Sequence, residues 1–344
     1  MKVLIVNRGL CDNIGDQAIN VAMHAFIEKN FNANCFFSDF TSTNKNILKI
    51  RNDGECKYSK YKRLLKKILP LDLIWIFRNI NRIKNNIIDS DLIVIGGGQL
   101  ILSNRFAIAL FVWVYLSRRY NKKVLVSCVG SGTKFSFLKK KYIKYGLSRV
   151  EHISVRDIES QKVLKQEFNV DSEVTGDIVF TRFLKQKKNR ELLLLGVTEL
   201  SVYNLYNKPL SRENYYIKWI KLVEKSKYLL SDFKLVYTTQ NDYYECLYFR
   251  NFVINKFNLE LDIVDTSTLN NFNNILNNSK FIIAGRMHAL ILGLINGCDI
   301  MPFPISDKLI SFTKIIKKSN LDDYRQSIIE KQIKIFHSYI KKEE

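Results

Sequence analysis

A chain of 344 residues with 47% hydrophobic side chains can bury sizeable cores, which excludes global disorder and suits two domains better than one. Its 54 basic and 33 acidic side chains leave a net charge of +21 and point to anionic partners, yet no zinc finger, RNA-recognition signature or helix-turn-helix pattern appears, so nucleic acid is not expected. Six scattered cysteines with no CxxC pair argue against a disulfide framework or a zinc site, and predict reduced thiols in a cytosolic setting with no metal.

In chain order, residues 2–6 predict a first strand rather than a signal peptide, because the apolar run breaks off at Asn7-Arg8. Residues 16–29 carry Ile19, Ala22, Met23, Phe26 and Ile27 at helical spacing. Residues 92–95 predict a strand that leads through Gly96-Gly97-Gly98 to a helix over 106–119. Further strands at 124–129 and 153–155 follow, the second running through Arg156 into a helix over 157–168. A charged run at 185–190 interrupts, and a strand at 192–197 restarts the pattern. Helices at 213–230, 243–257 and 269–277 then alternate with strands at 234–238, 261–264 and 281–284, before an apolar helix over 287–296. Residues 321–341 read as a closing helix that can pack back onto the first half. Such alternation predicts an α/β fold of two Rossmann-like domains, 1–187 and 188–344, facing a cleft.

Residues 38–88 fit the alternation poorly. Within them, 61–77 interleave basic and apolar residues and set Trp75 like an interfacial anchor, which makes an anionic membrane surface a candidate partner. An ordinary amphipathic helix against the core is the competing reading. The longest apolar runs, 107–116 and 71–77, fall short of the ~20 residues of a membrane-spanning helix, so the protein is expected to be soluble or peripheral.

The polar residues of interest cluster where strands give way to helices, the edge at which parallel sheets bind ligands. Arg286 and His288 flank Met287 after Gly285, at a junction that combines cations with a helix N-terminus. Asn13-Ile-Gly-Asp16 follows the first strand and presents Asn13, Gly15 and Asp16, although Asp16 can equally be a helix cap. Gly97, Gly98 and Gln99 follow the second strand without forming a GxGxxG fingerprint or a phosphate loop; a tight turn explains them as readily. Arg156 sits at another junction, able to clamp an anion with Arg286 or to pair with Glu159 on the surface. Asp177 lies in the turn Thr175-Gly-Asp177, as a cleft carboxylate or a turn former.

Taken together, NIGDQAI, GGGQLI, SVRDIES, TGDIVF and GRMHALILGLINGCDI, with Pro304-Ile-Ser-Asp-Lys308 behind them, resemble the polysaccharide pyruvyltransferase family across residues 13–308. The chain departs from the family at Met287 and Ile178, neither of them a polar position. The resemblance implies a GT-B-like enzyme with the acceptor on the first domain and the donor on the second. The pyruvyl group of phosphoenolpyruvate would pass to a sugar of a cell-surface polysaccharide or its lipid-linked precursor, giving a pyruvate ketal without a cofactor. On that reading Arg156 and Arg286 converge on the donor beside Met287, while Asn13, Gly15, Gly97, Gly98, Gln99 and Lys308 complete the substrate site. His288 is the candidate general acid, and Asp16 or Asp177 the base for the attacking hydroxyl. A cytoplasmic location follows, with peripheral attachment to the inner face of the cell membrane. Two other readings stay open. A sugar-nucleotide glycosyltransferase would need a ribose-binding carboxylate shortly after His288, where the next acid is Asp299; a non-catalytic basic protein would bind membranes or polyanions.

Overall fold

Short apolar runs ended by glycine, asparagine or serine build two parallel sheets in the computed structural model, which describes residues 1–41, 71–182, 189–318 and 320–340. The expected boundary near 187 and the 61–70 part of the basic-apolar stretch lie outside the described residues. The first sheet runs β2-β1-β3-β4-β5-β6, with β1 Lys2–Asn7, β2 Asn34–Asp39, β3 Leu92–Gly96, β4 Lys123–Val129, β5 His152–Val155 and β6 Glu173–Val174. The second runs β10-β9-β7-β8, from β7 Leu192–Gly196, β8 Phe233–Leu235, β9 Ser279–Ala284 and β10 Asp299–Pro302. Two Rossmann-like domains of the GT-B kind result.

Handedness decides where the helices go. The step from β1 to β2 runs opposite to the later steps across the sheet, so right-handed crossovers put α1 (Ile14–Phe31) on the face opposite the helices of the later crossovers. The other face carries α2 (Leu71–Ile88), α3 (Arg105–Arg119), α4 (Phe137–Leu147) and α5 (Ile158–Val163), the last extended by a wider turn over Leu164–Phe168. The second domain adds α6 (Leu200–Tyr206), α7 (Arg212–Lys225), α8 (Gln240–Phe257), α9 (Leu269–Asn277), α10 (Met287–Ile295), α11 (Asp307–Lys318) and α12 (Leu321–His337). One apolar cluster joins the two halves: Ile14, Ala18 and Phe26 of α1 share it with Phe272 of α9, Ala289 and Leu290 of α10, and Phe336 of α12.

The strand at 261–264 is reduced to a single bridge between Leu235 and Ile263 at the sheet edge, where the Asp262 carbonyl and the Val264 N–H bond the backbone of Leu235. The helix from 213 stops at Lys225, where Ser226 caps it. Trp75 is not an interfacial anchor: it is buried, and its indole N–H donates to the Thr41 carbonyl at 2.7 Å, as the competing core reading required. Strand β2 and helices α4, α6 and α11 emerge where the sequence pattern is weak; in α4 four lysines interrupt the apolar stripe and leave Ile143, Gly146 and Leu147 to hold it. None of the described helices is long and apolar enough to cross a membrane.

Helix α12 lies against the first domain. Its Phe336 ring sits 6.1 Å from Phe26 and 5.9 Å from Phe31, and Gln332 donates to the Cys128 thiol while accepting from the Ser127 hydroxyl at 3.2 Å. Phe336→Ala empties a fully buried site and should cost about 3–5 kcal/mol. Chemical denaturation of the whole chain checks this; a loss comparable to that of an exposed substitution would mean that the helix is not part of the shared core.

Candidate active site

The two domains meet at the N-termini of α1, α8 and α10, where unpaired N–H groups need partners. The Asn13 side chain caps α1 by accepting from Gly15 N–H at 2.9 Å, and Ile14 N–H donates across the interface to the Thr238 carbonyl at 3.0 Å. In return Asp12 of the first domain accepts from Gln240 N–H, at the start of α8, at 3.0 Å. Gly15 lies directly beneath His288. A Cβ there would come within 2.6 Å of the His288 ring nitrogen Nδ1, so only glycine admits the imidazole.

The other ring nitrogen, Nε2, lies 3.2 Å from the Asp177 carboxylate, a hydrogen bond between an imidazole of the second domain and a carboxylate of the first. Asp177 also accepts from Val179 N–H at 3.1 Å and stands 4.0 Å from the Arg156 guanidinium. Burial alone would raise its carboxyl, but the facing His288, then Arg156 and the Val179 N–H, outweigh burial and hold it below the usual carboxylate range. Arg156, whose side chain is 8% exposed, is packed against Gly130 and also reaches Asp157, which caps α5 by accepting from Ser160 N–H at 2.6 Å. The expected surface pair between Arg156 and Glu159 is therefore replaced by two closer carboxylates, Asp157 and Asp177. A bulge at the end of β4, where Cys128 takes φ 54°, turns the chain so that Gly130 and Ser131 face these groups. The Ser131 carbonyl accepts from Lys308 at 2.6 Å and from Gln99 at 3.3 Å.

A cavity of about 390 Å³ opens beside this cluster, lined by Arg156, Asp177, Met287, Lys308, Phe312 and Tyr324 among others. Burial lowers the Lys308 ammonium and Arg156 adds to that, against the pull of Asp157. Burial, with Asp177 and Asp157 behind it, pushes Tyr324 up to about 12, which keeps it a neutral hydroxyl.

The expected site residues thus fall into three groups. Arg156, Asp177, Met287 and Lys308 share the cavity, with His288 bonded to its edge. Asn13, Gly15, Asp16, Gly97, Gly98 and Gln99 do not line it; Gly15 abuts His288 and Gln99 bonds the Ser131 carbonyl. Asp16 lies 3.6 Å from Arg8 and beside Gly98, and Gly97 (φ +74°) leaves room for Ile19, whose Cγ2 would overlap any Cβ there. Arg286 stands apart. Its guanidinium makes a bidentate pair with Asp242, at 3.0 and 2.8 Å, in a recess of the second domain. It is not joined to Arg156 in one clamp.

Asp242 is the principal residue that sequence reasoning missed. It is buried and accepts as well from Thr238 Oγ1 and Glu199 N–H, both at 3.0 Å. Its pair outweighs burial and raises Arg286 above its ordinary value. Thr239-Gln-Asn-Asp242 reads in sequence as a plain helix cap, and Thr239 does cap α8; nothing local reveals the second task of Asp242.

Two parallel α/β domains with a cleft at the strand ends and buried charged groups between them define a fold of the GT-B kind. The chain belongs to the polysaccharide pyruvyl transferase family, whose model matches residues 13–306. No curated protein matches it. Among solved structures, a UDP-GlcNAc 2-epimerase from Methanocaldococcus jannaschii, in complex with UDP-GlcNAc and UDP, superposes with a TM-score of 0.51 over 98% of this chain and 100% of its own, at 14% identity. A protein from Listeria monocytogenes provisionally assigned as a UDP-N-acetylglucosamine 2-epimerase gives a TM-score of 0.51 over 96% and 90%, at 12% identity. At such identities the likeness is one of fold.

The depressed carboxyl of Asp177 makes a pH prediction. Because its folded value lies below its unfolded one, Asp177 stabilises the fold fully above the ordinary carboxylate range and loses that contribution as pH falls through the folded value. Asp177→Asn should therefore lower stability by about 1–3 kcal/mol at neutral pH, with the gap to wild type closing in acid. Thermal unfolding across that range reads it; a gap that is constant with pH would mean that the carboxylate charge contributes nothing.

Proposed function

We propose that the protein transfers a pyruvyl group from phosphoenolpyruvate to a sugar of a cell-surface polysaccharide or of its lipid-linked precursor, forming a pyruvate ketal. Family membership supports the transferase class, and the observation that carries the reading is the imidazole–carboxylate pair His288–Asp177 beside the buried Arg156 and Lys308. Phosphoenolpyruvate bears a carboxylate and a phosphate, which require cations already oriented. His288 protonates the methylene carbon, and its π electrons form the new C–H bond, leaving an oxocarbenium centre at C2. A sugar hydroxyl attacks C2 and gives up its proton to Asp16. Loss of phosphate from C2 regenerates the cation, and a second hydroxyl closes the ketal, its proton passing to the departed phosphate. Asp177, bonded to Nε2, holds the ring at the edge of the cavity for the proton transfer. On this reading the first domain carries the acceptor and the second the donor.

Arg286, in its separate recess, is not one of the donor cations beside Arg156 and Lys308; its fork is fixed by Asp242 and its remaining N–H donors serve another anionic group of the substrates. The Asp242 pair changes the expected mutant behaviour: Arg286→Ala strands a buried carboxylate and should cost about 3–5 kcal/mol of stability in addition to activity. The double variant Arg286→Ala with Asp242→Asn should regain most of the stability and none of the activity.

The deciding measurement is a thermal shift. Phosphoenolpyruvate should stabilise the wild type by ~2.7 kcal/mol at a hundredfold excess over its Kd. Arg156→Ala should abolish the shift. His288→Asn should keep it while turnover falls roughly 10²–10⁴-fold. The epimerases of like fold handle UDP-sugars, so UDP, GDP and CMP are the controls. Stabilisation by a nucleotide and none by phosphoenolpyruvate would replace this reading with sugar-nucleotide chemistry.

A further inference from the structure

We propose that the outer face of α2, α3 and α4 is a docking surface for an anionic lipid bilayer. Large apolar side chains stand out from this layer instead of packing on the sheet: Phe77 is 78% exposed, Phe137 75%, Leu138 54%, Leu73 50% and Tyr115 47%. The pair Leu73 and Phe77, four residues apart, points from one side of α2, and Phe137 and Leu138 open α4. An ion pair between Asp72 and Lys139 ties the first turns of these two helices together, so their exposed residues belong to one surface. Between them, Phe111 and Tyr115 of α3 stack on each other and pack in tilted geometry against Tyr142 and Tyr145 of α4, at ring separations of 4.9–6.5 Å.

Basic residues are interleaved with these rings. Helix α4 contains Lys139, Lys140, Lys141 and Lys144 and no acid. Lys140 pairs with Glu167, whereas Lys134, Lys141, Lys144, Arg78 and Arg149 are exposed. Lys141 lies 4.5 Å from the Phe137 ring centroid and Arg149 3.8 Å from that of Tyr145. A protein partner would favour a patch whose centre lacks lysine. A soluble polyanion would make no use of protruding phenylalanines. Rings at headgroup depth with lysines reaching the lipid phosphates is the composition an interface of bilayer and water selects.

Topology places the surface usefully. The loop that carries Ser131, which receives Lys308 in the cleft, leads directly into Phe137. Helices α2 and α4 begin at the same carboxyl edge of the sheet as the candidate site. A bilayer held there lies at the mouth of the cleft, where a membrane-borne acceptor would be presented.

Co-sedimentation of the full-length protein with phosphatidylcholine vesicles, with and without phosphatidylglycerol, tests this. Binding should require the anionic lipid and fade with salt. Lys141→Gln with Lys144→Gln should weaken it roughly thirtyfold. Phe77→Ser with Phe137→Ser should weaken it roughly tenfold or more, at unchanged charge. Lys221→Gln with Lys225→Gln, on the second domain, should leave it unchanged. The proposal is overturned by equal binding to neutral vesicles, by none to either kind, or by binding that survives both pairs. It is likewise overturned if heparin captures the protein as well as the vesicles do and the phenylalanines do not matter. The lysine pair decides alone if the phenylalanine variant does not fold.

Discussion

The hydrogen bond between Asp177 and His288 is the constraint on which the rest of the structure depends. It joins a carboxylate just beyond the first sheet to an imidazole in the first turn of α10, so neither domain holds the pair alone. Bringing the two within 3.2 Å requires α1 and α10 to approach closely at their N-termini, and the bare backbone of Gly15 is what permits that approach. Ile14–Thr238 and Asp12–Gln240 fix the same contact from either side. Behind them the shared apolar cluster supplies the burial that offsets ordering the interface. Helix α12 fastens the Asp177 turn itself, because Arg325 donates to the Phe180 carbonyl at 3.0 Å while Phe336 anchors the helix between Phe26 and Phe31.

Charge is arranged differently inside the molecule and outside it. The chain carries a surplus of +21, yet among the described residues the buried guanidinium groups of the cleft face carboxylates. Arg156 stands between Asp157 and Asp177, and Arg286 grips Asp242. A buried guanidinium left alone would be costly, and one matched on every edge could bind nothing. Arg286 uses only Nε and Nη2 for Asp242. Of the five N–H donors of a guanidinium, that leaves three in a fixed plane. Preorientation of this kind lowers the entropy lost when an anion binds.

How much of this was legible in the sequence depends on where the information resides. Strands β1, β3, β4, β7 and β9 are continuous apolar runs because both faces of a parallel sheet are covered, and such runs stand out. Strand β6 has two residues, and α4 holds with three buried ones, so neither carries enough pattern to read. Trp75 shows the limit of composition: beside lysines it resembles an anchor, and only tertiary packing reveals its bond to Thr41. For the site, strand-to-helix junctions pointed to Arg156, Arg286 and His288, and the turn Thr175-Gly-Asp177 to Asp177, since local chain direction determines what faces the cleft. Local direction does not determine pairing. That Arg286 would turn to Asp242, and His288 to Asp177, depends on contacts 44 and 111 residues apart.

The division of the site between domains has a mechanistic consequence that the fold alone does not dictate. Epimerases of like architecture share the fold at 14% identity or less, so the two halves themselves are a general support for chemistry in a cleft. In this chain an imidazole from one half is held by a carboxylate of the other, and Lys308 of the second half bonds the Ser131 carbonyl of the first. Opening the cleft would break both bonds at once and leave Asp177 without its imidazole. In the proposed reaction the proton donor is therefore oriented only when the domains are closed, and closure also shuts water away from a cation that water would capture. The same contacts that stabilise the fold at rest thus set when the acid can act.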